Sequence, residues 1–142
     1  MTPKTARVQF EPDPCYVAIA RNFVGELAIE AGLSLDKVED ARLLASEAVT
    51  NAVKAHQENH ADGLIELECA FDDDQFRITV IDRAGGFDPV EAASAAGTEA
   101  DIEREGGFGL PLLEALSDDV TIDSDDVGSE VSTVVYRDAR VS

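Results

Sequence analysis

The stretch Ser46-Glu47-Ala48-Val49-Thr50-Asn51-Ala52 decides the architecture, because it joins a helical apolar stripe to two polar groups at its edge. Val38, Ala41, Leu44/Ala45, Ala48 and Ala52 recur at helical spacing, which predicts a helix from about Leu35 to His56. Ser34 precedes it and can cap its first turn. The four-residue spacing sets Glu47 and Asn51 on neighbouring turns of one face. They fall at the margin of the stripe, where a half-buried carboxylate and amide are costly unless partnered. A bound Mg²⁺-phosphate is one such partner, since the Asn oxygen is a hard ligand. A solvated helix edge is the alternative.

Before this helix, Ala6–Phe10 alternates like a short strand that Pro12 and Pro14 stop. Ile19/Ala20, Phe23/Val24, Leu27/Ala28 and Ala31 then predict a helix from about Cys15, with Gly32 as its C-terminal stop. After it, Gln57–Gly63 reads as a loop, and Leu64–Phe71 and Phe76–Asp82 read as strands joined by Asp72–Gln75. Ile65, Leu67, Cys69 and Phe71 share one face, as do Phe76, Ile78, Val80 and Asp82. Arg83–Gly107 is weakly patterned, with a short helix expected near Val90–Ala95. A connection this long inside a compact domain is usually functional or mobile. A helix over about Leu110–Leu116 and a closing hairpin, Val120–Asp123 with Val131–Arg137, complete the chain. The expected class is α+β, a two-layer sandwich with helices on one face of a mixed, mostly antiparallel sheet.

The 142 residues suit one domain and carry no internal repeat. The net charge of -19 repels phosphate backbones and anionic lipid, so nucleic-acid and membrane-surface partners are disfavoured. The same field repels ATP, so a nucleotide site needs Mg²⁺ and local donors. Cys15 and Cys69 form neither a disulfide framework nor a zinc motif. His56 and His60 are four apart, a spacing that suits a metal on a helix, but no Cys or HExxH context supports one. No signal peptide or membrane span is read, which makes the cytoplasm the default.

Two further stretches carry chemistry. In Val80-Ile81-Asp82-Arg83-Ala84-Gly85-Gly86-Phe87, Asp82 continues an inward face, where its carboxylate needs a donor. The exocyclic amine of adenine would serve, and the glycines would let a flat base approach the backbone. An Asx-type turn is the alternative. In Gly106-Gly107-Phe108-Gly109-Leu110-Pro111, glycines before a helix start offer free amides for phosphate, or form no more than a flexible loop.

With the three stretches in this order, the chain resembles the stand-alone anti-sigma-factor serine/threonine kinases of the histidine-kinase-like (Bergerat-fold, GHKL) ATPase superfamily. The likeness runs over about Arg7–Arg137 and is most specific at Ser46–Ala52. It implies a Bergerat fold with an ATP lid over about 83–109. It implies Glu47 as catalytic base, Asn51 as Mg²⁺ ligand and Asp82 as partner of the adenine amine. Gly86 takes the last glycine of the Asp82 box. Gly107 and Gly109 take the glycines of the lid-end box, which also holds Phe108 and Leu110. Ser129 stands where relatives often carry Thr near the adenine, and Arg104 in the lid is the candidate to reach the γ-phosphate. One departure is Ala84 at the first glycine of the x-Gly-x-Gly pattern, because Ala disfavours positive φ. The implied activity is transfer of the ATP γ-phosphoryl group to a serine or threonine of a STAS-type anti-anti-sigma partner, with a sigma factor as the competing ligand and a homodimer as the working form. The rival readings are a partner-switching module without turnover, a related kinase that activates a phosphatase, the catalytic half of a sensor kinase, and a protein with no nucleotide site.

Overall fold

The computed structural model describes residues 3–84 and 109–137, the side chains of 109–111 excepted. The elements run β1 (Lys4–Phe10), α1 (Cys15–Glu30), α2 (Leu35–Glu58), β2 (Ile65–Phe71), β3 (Gln75–Asp82), α3 (Gly109–Leu116), β4 (Asp119–Ser124) and β5 (Ser129–Tyr136). The expected helix near Val90–Ala95 lies outside the described residues.

The helix boundaries follow local chemistry. Asp13 holds the start of α1, its Oδ1 accepting the Cys15 amide at 2.9 Å. That bond favours the ionised carboxylate and lowers the Asp13 pKa. At the other end Gly32 takes φ +86°. Its N–H donates to Ile29 O, and Leu33 N–H reaches Ala28 O at 3.2 Å, the paired bonds of a Schellman stop. Two residues on, the Ser34 hydroxyl accepts the Lys37 amide and opens α2.

The five strands lie in the order β1-β2-β3-β5-β4. The four pairings among the described residues are all antiparallel. β3 and β4 point the same way, but β5 returns between them and separates them, so the expected parallel component makes no ladder of its own. The inward faces of β2 and β3 are the predicted ones. Ile65, Leu67, Cys69, Phe71, Phe76, Ile78 and Val80 are all buried against the helical layer. Burial raises the Cys69 thiol to about 12, so it acts as an apolar filler.

α2 is the spine of that layer. Its small residues Ala41, Ala45, Ala48 and Ala52 are buried, which lets the helix lie close to sheet and neighbours. α1 crosses it at Gly25, where an added Cβ would meet Arg42 Cγ and Cδ at 3.0 Å. α3 packs on α2 through the buried Leu113. Among the described residues, no helix is long and apolar enough to cross a membrane.

Candidate functional site

Asp82 ends β3 in register with Ser129, the first residue of β5. Both are buried, at 7% and 3% exposure. The ladder stops there, so the amides that follow need other acceptors. Asp82 Oδ1 takes one of them, Ala84 N–H at 3.1 Å, and also accepts Ser129 N–H at 3.3 Å from across the last pair. The Asx-type turn is therefore present. It uses one carboxylate oxygen, and among the described residues no hydrogen bond is made to Oδ2. One oxygen orders the turn, and the other accepts no hydrogen bond from the described residues.

The turn is gripped from both sides. On the hairpin side Gly128 lies so near that an added Cβ would stand 1.9 Å from Asp82 O and 2.8 Å from Arg83 Cα. Asp125 builds that hairpin turn. Its Oδ1 accepts the amides of Val127 at 2.8 Å and Gly128 at 3.0 Å, which holds its carboxyl below the usual range. On the helix side the buried His56 accepts the Arg83 amide at Nε2, 3.0 Å, and meets Ala61 O at Nδ1, 3.1 Å. Asn59, the C-cap of α2, donates from Nδ2 to Ala84 O at 2.5 Å. Sequence reasoning missed both contacts. The available signal was that His56 continues the helical phase of Ala45, Val49 and Ala52, which places it on the buried stripe and not at its margin.

His56 is no half of a metal pair, since both ring nitrogens face backbone partners. Its companion His60 is exposed with φ 51°. Among the described residues no group of three His, Cys, Asp or Glu side chains could hold a metal ion.

Glu47 and Asn51 are half-buried on α2, beside the buried Ala48 and Ala52, as the stripe predicts. They sit on the same helix whose end holds residues 83 and 84. At about 1.5 Å rise per residue, Asn51 is about 7.5 Å along the axis from His56. Ala84 is buried and is absent from the residues with positive φ, so a side chain costs no backbone strain where the pattern has glycine. Gly109 and Leu110 open α3. Gly86, Arg104, Gly107 and Phe108 lie outside the described residues.

A cavity of ≈ 280 Å³ opens at the ends of β3 and the β4–β5 hairpin, reached by Asp82 and Ser129. Asp123, Asp125 and Glu130 also line it, against one cation, Arg83. Such a wall suits a neutral or amine-bearing group and repels phosphate.

Residues 10–135 match the histidine kinase-like ATPase domain family. The chain is 38% identical over 127 residues to the serine-protein kinase RsbW of Staphylococcus epidermidis, covering 85% of this chain and 79% of that protein. The crystal structure of the RsbU and RsbW domains of Rv1364c from Mycobacterium tuberculosis is similar with a TM-score of 0.70 at 21% identity, over 98% of this chain and 34% of that one. The SiaB–SiaC complex from Pseudomonas aeruginosa is similar at 0.61 and 10% identity, over 90% of this chain and 88% of that chain. At those identities the structural likeness speaks for the fold alone.

Proposed function

The chain belongs to the histidine kinase-like ATPase domain family, on its serine-protein kinase RsbW side, and on that premise we propose that it is an anti-sigma factor that phosphorylates an anti-anti-sigma partner. The observation that carries the nucleotide part is Asp82: a buried carboxylate held by two amides through one oxygen, beside Ser129, at the end of a strand. In this reading an adenine amine donates to Oδ2, which accepts no hydrogen bond from the described residues.

In this reading the base lies toward Asp82 and Ser129, and the phosphates run along α2 toward Gly107, Phe108, Gly109 and Leu110. Gly86 and Arg104 complete the proposed nucleotide set. Asn51 fits Mg²⁺ chemically: it offers a neutral, hard oxygen on a half-buried flank, with phosphate and water left to complete the ion's shell. The ion would offset phosphate charge that this acidic molecule otherwise repels.

The chemistry needs little beyond positioning and charge stabilisation. A partner serine or threonine hydroxyl oxygen bonds to the γ-phosphorus as the bond to the β–γ bridging oxygen breaks. ADP leaves, and Glu47 takes the hydroxyl proton. The unphosphorylated STAS-type partner competes with a sigma factor for this chain, so phosphorylating the partner leaves the sigma factor captured. The working form is a cytoplasmic homodimer.

Incubation with radiolabelled ATP, Mg²⁺ and the cognate partner tests this. The partner serine should gain label, and Glu47→Ala should slow labelling about 10²-fold or more while ATP still binds. Tight ATP binding with no label on any partner would reduce the protein to a switching module. Recovery of a phosphatase and no sigma factor from native cells would move it to a different switch.

A further inference from the structure

The C-terminal end of α2 carries a second set of residues that the proposed reaction does not use. His56 is 1% exposed, and its two ring nitrogens meet Ala61 O and Arg83 N–H. An imidazole that accepts a backbone amide at Nε2 has its proton on Nδ1. Both ring nitrogens are thus engaged by backbone, and neither is open to a substrate or metal. Asn59 adds the bond to Ala84 O.

Packing alone does not call for a histidine here. A Leu would fill the buried stripe without burying polar atoms, which cost free energy unless each is paired. What His56 adds over Leu is an acceptor for the Arg83 amide. That amide is the first one beyond the β3–β5 ladder, whose last pair is Asp82 with Ser129. Ala84 N–H is already on Asp82 Oδ1, and Ala84 O is on Asn59. Two consecutive residues after Asp82 are thus tied to the end of α2, Arg83 through its N–H and Ala84 through its C=O, and the Asp82 carboxylate holds the Ala84 N–H between them. Without these ties, the turn that aims the carboxylate keeps only Gly128 and Ser129 as a support among the described residues.

We infer that His56 and Asn59 are positioning residues for adenine recognition: they hold the backbone of Arg83 and Ala84 so that the Asp82 carboxylate meets the exocyclic amine. The inference rests on the reading of Asp82 as the base-recognising group. It ties the base end of the pocket to the helix that carries Glu47 and Asn51, so that one rigid element sets both ends.

The test compares ATP with purine riboside triphosphate, which lacks only the exocyclic amine, by equilibrium binding with Mg²⁺. Wild-type protein should prefer ATP by about tenfold or more, the worth of a hydrogen bond to a charged group. His56→Leu should lose most of that preference by weakening ATP binding, with affinity for the analogue unchanged within about twofold. A general packing defect would weaken both ligands equally. His56→Gln, whose amide can both accept and donate, should restore most of the preference. Asn59→Ala, at an exposed cap, should lower it about threefold and decides the matter if His56→Leu fails to fold. Unchanged preference in the folded variants would overturn the inference and leave Asp82 as the base reader. No preference in wild type would overturn the Asp82 reading itself, and the inference with it.

Discussion

Gly128 shows how much a missing methyl group can matter. Its backbone approaches Asp82 and Arg83 so closely that a Cβ would overlap Asp82 O at 1.9 Å. Both contacts are backbone, so no rotamer change relieves them. Gly128→Ala should lower stability by about 1–3 kcal/mol and weaken ATP binding, read by denaturant titration and calorimetry. Unchanged affinity and midpoint would mean that the hairpin moves aside freely. Asp125 acts in the same turn through two backbone amides. Its folded-state pKa is lowered, so its contribution is complete above the ordinary carboxylate value of about 3.9 and is lost as pH falls through the lower folded value. Asp125→Ala should therefore melt below wild type at neutral pH, and the gap should narrow as acid approaches that lower value. A gap of constant size would refute the assignment. At this scale Glu47, Asn51 and Asp82 were legible, because each departs from an apolar period that the sequence displays. Gly128's role was not, since its partner Asp82 is far away along the chain, at the end of β3.

Among the elements, α2 was the most legible and does the most. Its stripe, Ser34 cap and half-buried margin were all readable, because a helix meets one layer on one side and water on the other. The helix runs on to Glu58, two residues beyond the expected His56, and those last residues lead into the grip on Ala84. Strands were legible as alternation, but their order was not, because partner choice depends on which segments are brought together. The β4–β5 hairpin places Asp123 opposite Glu130. Both side chains are exposed on the face away from the helices, and like charges in direct opposition destabilise a sheet. Asp123→Lys should raise stability by about 0.5 kcal/mol, visible as a higher denaturant midpoint at low salt. A lower midpoint would mean that the acidic pair serves another contact.

For the whole molecule, a net charge of -19 makes self-repulsion a general term in stability. Raising KCl from about 0.1 M to about 1 M shortens the screening length from about 10 Å to about 3 Å. The melting temperature should rise across that range, and it should rise less in Asp123→Lys; a flat response would mean that the charges are already compensated. The same charge means that, in the proposed reading, phosphate would need local donors and a cation to offset the repulsion. By itself, the sequence determined the element types, the apolar faces, the caps at Ser34 and Gly32, and the candidate set of Glu47, Asn51 and Asp82. All of these are periodic or local signals within one segment. Tertiary structure alone decided that Ser129 lies beside Asp82, that Gly128 must lack a side chain, and that His56 and Asn59 hold the following turn. Those contacts join segments 25 or more residues apart, and their free energy exists only once the sheet has brought the backbones together.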